Sequence, residues 1–222
     1  MSELRRIYTT VDTRDRILEA ALAVFARRGF DGATTREIAK EGGFSAALIH
    51  HHFTDKENLW NLVGQRISEE FVEAITSSIA PELKGTGEGA RQMVAAYMRY
   101  WREHPQALRF QLWRVLGAPE DERKARSKQL NKMFVPVMKA AQDAGDIRGD
   151  VPAGLLMVTM GGLIQYFLHS NMETNDALAV TGAPPMTDDQ ALDYLWGLVT
   201  TTPYEKASAP KKPRTSAKVK KG

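Results

Sequence analysis

Apolar residues recur at intervals of three and four along most of this chain, the signature of helices that bury one face. Ile17, Leu18, Ala21, Leu22 and Phe25 predict a helix from near Thr13, which Arg27-Arg28-Gly29 ends. Leu59, Val63, Ile67, Phe71 and Ile75 repeat every fourth residue and predict a long helix from Lys56 to about Ile79, capped by Asp55 and closed by Pro81. Five more helical stretches follow, over roughly 90–104, 105–116, 119–144, 152–172 and 187–201. Pro136 predicts a kink or break in the third of these. Lys84-Gly-Thr-Gly-Glu-Gly89 has alternating glycines but no preceding strand and no Gly-Lys-Ser/Thr ending, so it reads as a flexible connection and not a phosphate loop. No segment alternates apolar and polar residues between turns. The predicted fold class is all-α.

The segment from Thr34 to Phe53 is the most informative. Thr34 with Glu37 three residues later forms a capping box, and Ile38-Ala39 is the apolar stripe of the helix it starts. Gly42-Gly43 ends that helix, Phe44 anchors the turn, and Ser45 caps a second short helix. Ile49 and Phe53 share its buried face, leaving Ala46, Ala47, His50 and His51 outward. Two short helices across a glycine turn, the second with small residues in its first turn, describe a helix-turn-helix.

Composition sharpens this reading. With 222 residues, 43% of them hydrophobic and 26% charged, the chain can bury a sizeable core. It contains no cysteine, which removes disulfides and thiolate metal sites and fits a cytoplasmic protein. No apolar run reaches about 18 residues, so no membrane partner is expected. From Lys206 onward the sequence holds seven Lys and Arg and no acid, more than the whole chain's net charge of +3, so the remainder carries −4. The expected organisation is a flexible arm over 1–12, a helix-turn-helix domain over 13–54, a helical body over 55–203 and a disordered basic tail over 204–222.

The combination resembles the TetR family of transcriptional regulators. The resemblance rests on Phe25-Ala-Arg-Arg-Gly-Phe30, Thr34-Thr-Arg-Glu-Ile-Ala39, Gly43-Phe-Ser45, Ile49, His52-Phe53 and Lys56-Glu-Asn-Leu59. It implies an N-terminal three-helix DNA-binding domain followed by a larger body that binds a small molecule and dimerises. It further implies a repressor that holds a palindromic operator as a homodimer and is released by an effector. Two positions depart from the family pattern: His50 stands where tyrosine is usual, and Phe44 where valine is usual.

On this reading Thr34, Thr35, Arg36, Ser45, His50 and Lys56 are candidate phosphate or groove contacts, and His51 is a candidate base reader. Ala46, Ala47 and Leu48 would allow close approach and methyl contacts, although Leu48 could equally be core. The consecutive histidines 50–52 point about 100° apart on a helix and cannot converge on one ion, so no metal site is expected. Tyr97, Trp101, Arg109, Phe110, Trp113, Phe134, Met138, Gln165 and His169 are candidate liners of a largely apolar effector pocket; core packing is the alternative for each. Gly161 and Gly162, with Leu155, Ile164, Leu168, Leu192, Leu195, Trp196 and Val199, are candidates for a four-helix dimer interface; packing within the chain is the alternative. No cofactor and no nucleophile–base pair are expected. The competing functions are an enzyme using the helical body and a DNA-binding protein that responds to no ligand.

Overall fold

A computed structural model describes residues 2–117 and 119–200, with the backbone alone described over 2–12. Ten helices and one 3-10 turn make up the described residues, and no strand occurs among them. The first three helices form the N-terminal head: α1 (Ser2–Gly32), α2 (Thr35–Gly42) and α3 (Ala46–His52). The helix α4 (Lys56–Ser77) leads from this head into a body built from α5 (Gly87–Glu103), α6 (Pro105–Gly117), α7 (Glu120–Asp143), α8 (Ala153–His169), α9 (Asn171–Val180) and α10 (Asp188–Thr200).

One buried cluster runs through both parts, from Ile17, Phe25, Ile38 and Ile49 in the head to Phe71, Phe134, Ile164 and Leu195 in the body. The stripe predicted on α4 is buried at all five positions. In the body α7 packs on α8, and α5 sits among α4, α7, α8 and α10. Helix α6 turns the other way and lies against α1.

Several boundaries differ from the sequence reading. Helix α1 starts at Ser2 and not near Thr13, with no glycine or proline to interrupt 2–28. It breaks at Gly29 (φ 68°, ψ −174°), as predicted, before a last turn to Gly32. The glycine-rich segment is a connection only over 84–86, and Gly87 to Gly89 already form the start of α5. Thr86 caps it by accepting from the Gly89 N–H at 3.1 Å, and the Gly87 N–H donates to Asp146 Oδ2 at 2.6 Å. Helix α7 passes through Pro136 unbroken; the ring is exposed, and the loss is one helical hydrogen bond to the Lys132 carbonyl. The stretch over 152–172 divides at Ser170 (φ −110°, ψ 37°), where α8 and α9 meet at 85°. Helix α9 buries none of its residues and so carries no apolar stripe that would have announced it. The predicted basic tail lies outside the described residues.

Candidate nucleic-acid interface and effector cavity

The predicted capping box forms in full: Thr34 Oγ1 accepts from the Glu37 N–H at 3.2 Å, and Glu37 Oε2 accepts from the Thr34 N–H at 3.1 Å. At the turn the two glycines have separate tasks. Gly43 takes the left-handed conformation (φ 70°, ψ 31°) that ends α2. Gly42 gives the Phe44 ring its place, since a Cβ there would lie 2.5 Å from Phe44 Cδ2. Ser45 Oγ accepts from the Leu48 N–H at 3.1 Å and so starts α3. Ile49 and Phe53 are both 2% exposed and pin α3 to the head.

This anchoring fixes what α3 offers to a partner. Ala47, His50 and His51 are exposed, while Ala46 and His52 are half-buried. Leu48 is half-buried and packs against the core, so it has less to give a groove than its neighbours. Arg36 is exposed on α2, with Thr35 half-buried beside it. The Arg14 guanidinium lies 5.7 Å from the centroid of the Phe53 ring, and that of Arg16 lies 5.2 Å from that of Phe44. Both arginines are exposed. They flank α3 with positive charge, and the sequence reading passed over them because they precede the motif.

Lys56 has another task. Its ammonium donates to the Phe30 carbonyl at 2.8 Å and the Ala33 carbonyl at 3.1 Å, and stands 4.3 Å from the Phe30 ring centroid. The side chain therefore ties the start of α4 to the α1–α2 junction, and two of its three ammonium N–H donors are spent there. The N-terminal N–H groups of α4 are a further set of donors at this point.

In the body, α4, α5, α7 and α8 surround a cavity of about 1360 Å³. Phe71 and Ile75 of α4, Met93 and Tyr97 of α5, Phe134 and Met138 of α7, and Met160 and Gln165 of α8 line its apolar part. Gln165 Nε2 donates to Tyr97 Oη at 2.7 Å. Burial pushes the Tyr97 phenol up to about 12, against the smaller opposing effect of that hydrogen bond, so it stays protonated at neutral pH. At its α7 end the cavity is lined by Arg123, Arg126, Lys128 and Lys132.

Comparison with known proteins agrees with this architecture. Residues 17–63 match the bacterial regulatory proteins of the tetR family, and residues 91–188 match the tetracyclin repressor-like C-terminal domain. The chain belongs to the TetR family. Among curated TetR-family relatives, the HTH-type transcriptional repressor NicS of Pseudomonas putida is 28% identical over 167 residues, covering 73% of this chain and 78% of its own. A TetR family transcription regulator from Marinobacter aquaeolei has the same fold, with a TM-score of 0.68 at 23% identity over 88% of this chain and 99% of its own. AibR, solved with isovaleryl coenzyme A and operator DNA, superposes with a TM-score of 0.65 at 19% identity over 85% of this chain and 98% of its own. The chain is a TetR-family transcriptional regulator.

Of the nine cavity candidates in this TetR-family chain, Tyr97, Phe134, Met138 and Gln165 line the cavity and the other five do not. Trp101 is buried beside it, stacked on Phe71 with ring centroids 5.3 Å apart. Phe110 packs on Trp60 at 4.3 Å, and Trp113 donates from Nε1 to the Ala26 carbonyl at 3.2 Å. Both belong to the seam between head and body, because α6 leans on α1. Arg109 is exposed outside the cavity, and exposed His169 places Nδ1 2.8 Å from Ser170 Oγ at the α8–α9 bend.

The proposed dimer residues also sort differently. Ile164, Leu168, Leu192, Leu195 and Val199 are buried within the chain, and Trp196 is half-buried. Gly161 and Gly162 both line the cavity, Gly161 near Tyr97 and Gly162 on its exposed rim. The outward apolar side chains of these helices are Leu155, Val158, Leu163 and Tyr166 on α8, with Tyr194 and Leu198 on α10. Both faces of these helices are apolar, so periodicity alone does not separate their inward side chains from their outward ones. Among the described residues, no single helix is long and apolar enough to cross a membrane.

Proposed function

We propose that this regulator is a homodimeric, cytoplasmic repressor that binds a palindromic operator and is released by a small molecule held in the cavity. It works by binding and not by turnover. One observation carries the proposal: α4 is a single helix that Lys56 fastens to the head at one end and that lines the cavity with Phe71 and Ile75 at the other. A ligand pressing on that wall shifts a helix whose first turn is fixed to the DNA-reading head. In a dimer the separation of two such heads must match successive turns of one DNA face. By linkage, a ligand that lowers DNA affinity is itself bound less tightly by the DNA complex.

Exposed Arg36, Ser45, His50 and His51 fit the groove-facing role, with Ala46 and Ala47 allowing close approach. The apolar face of α8 and α10, from Leu155 to Leu198, fits the dimer contact. The complex of AibR with isovaleryl coenzyme A and operator DNA supports the ligand-responsive reading over an architectural DNA binder, as does a cavity of this size. The test is an anisotropy titration of the full chain against the DNA flanking its own gene. Sequence-selective, salt-dependent binding is expected, with a dimer as the bound species. Binding that ignores sequence overturns the proposal.

A further inference from the structure

The charge around the cavity is lopsided. Residues 1–205 carry a net −4, yet five lysines and arginines of α7 line the cavity against one acid, Glu120. Lys124 pairs with Glu120 at 2.8 Å. Among the described residues, Arg123, Lys128 and Lys132 have no ion-pair partner. Lys124, Lys128 and Lys132 also follow one another at four-residue spacing, a like-charge stripe that works against helix stability. A helix that needed only to cover an apolar cavity would gain nothing from this arrangement.

Arg126 is the innermost of these cations, with a side chain only 15% exposed. Among the described residues its sole carboxylate partner is Glu122, and Glu122 is already taken. Glu122 Oε1 accepts from Arg114 Nη2 at 2.6 Å and from Arg126 Nη1 at 3.5 Å, so two guanidinium groups share one oxygen and Arg126 has the weaker hold. Burial, and then the neighbouring Arg114, depress the Arg126 pKa, which records positive charge short of compensation.

We infer that the cavity takes an amphiphile with an anionic headgroup, its apolar tail lying among Phe71, Met93 and Phe134 and its charge held by Arg126, Arg123 and Lys128. This deepens the effector reading proposed above and rests on it. It also revises the expectation of a largely apolar effector, since the α7 end of the cavity would strand such a ligand's hydrocarbon among ammonium groups. An anion drawing Arg126 off Glu122 leaves that carboxylate to Arg114. The Arg114 guanidinium bears directly on α4 at Gly64, so headgroup binding reaches the helix that carries the reading head.

The experiment measures binding to the full chain by calorimetry, using dodecanoate, dodecyl phosphate and dodecanol below their micelle concentrations. Both anions should bind at least about tenfold more tightly than the alcohol, a preference that shrinks as salt rises. A stronger preference for dodecyl phosphate assigns a phosphate headgroup, and one for dodecanoate a carboxylate. Arg126→Gln should abolish most of the preference and leave dodecanol affinity within about twofold. The double variant Lys128→Gln/Lys132→Gln, altered only at exposed positions, should reduce the preference without touching the fold. Equal binding of alcohol and anions, or a full preference retained in both variants, overturns the inference. Operator binding without ligand is measured separately, so a regulator with no anion preference refutes this inference alone. Anion preference with no effect on the DNA complex refutes release by the ligand while the headgroup assignment stands.

Discussion

Arg114 of α6 occupies the space that a side chain at position 64 of α4 would need. A Cβ on Gly64 would lie 2.7 Å from the Arg114 Cζ and closer still to Nη1. Arg114 is only 8% exposed and holds Glu122 at 2.6 Å, so it has little freedom to withdraw. Gly64→Ala would gain about 1 kcal/mol of helix propensity, but it displaces a buried guanidinium from its carboxylate. A net loss of roughly 1–2 kcal/mol is expected from the overpacking and the weakened pair. The midpoint of urea unfolding measures it, and a more stable Gly64→Ala protein would refute the account of why glycine stands there.

Lys56→Met keeps the apolar stem and removes two charge-assisted hydrogen bonds to the carbonyls of Phe30 and Ala33. Stability should fall by about 1–3 kcal/mol. DNA affinity should fall as well, because the head loses its fixed angle to α4. If stability were unchanged and only the salt dependence of DNA binding altered, Lys56 would be a phosphate contact after all.

Arg36→Ala and His51→Ala should separate affinity from sequence choice. Removing exposed Arg36 should weaken binding to all sequences and lower the slope of log affinity against log salt by about one. His51→Ala should relax operator preference more than it lowers affinity. A His51→Ala protein with unchanged preference would show that the register assigned to α3 is wrong.

Tyr97 gives a prediction at high pH. Its folded pKa is raised by burial to about 12, above that of an exposed phenol at 10.0. The folded state therefore favours the protonated ring. That contribution is fully present below the unfolded pKa and is lost as pH rises from 10.0 toward about 12. Comparing unfolding midpoints across this window, Tyr97→Phe should lose less stability than the parent. Tyr100 is shifted in the same direction by burial and then by Glu70, so it remains in both proteins as a common background.

Leu155, 56% exposed on α8 and outside the cavity lining, belongs to the apolar face assigned to the dimer. Leu155→Glu should leave the protomer folded, because the side chain is already in solvent. It should also convert the dimer to a monomer in sedimentation velocity and weaken operator binding sharply. A dimer that survives this change would place the interface elsewhere.

The head was legible almost residue by residue because its signals are local. A capping box, a left-handed glycine and an i,i+4 pair such as Ile49 and Phe53 each act within a few residues. The body was legible only as helices. What decides whether Phe110 lines a cavity or seals the head–body seam is the direction in which α6 leans, and that depends on its contacts with α1, over 70 residues away in the chain. The basic wall of α7 was missed for a related reason. Nothing in the spacing of Arg123, Arg126, Lys128 and Lys132 tells a cavity wall from a solvated helix face, and only the fold brings them to the cavity of Phe71, Met93 and Phe134.

The continuity of α4 also limits how such proteins can be recombined. Between Lys56, fastened to the head, and Ile75, on the cavity wall, each residue advances the helix by about 1.5 Å and turns it by about 100°. One residue inserted after Gly64 would point Phe71 and Ile75 away from the cavity while the head stayed in place. The phase of α4 is thus part of the regulatory signal. A head exchanged with a relative's must be joined in the turn before Asp55, and it must bring carbonyls that the Lys56 ammonium can hold.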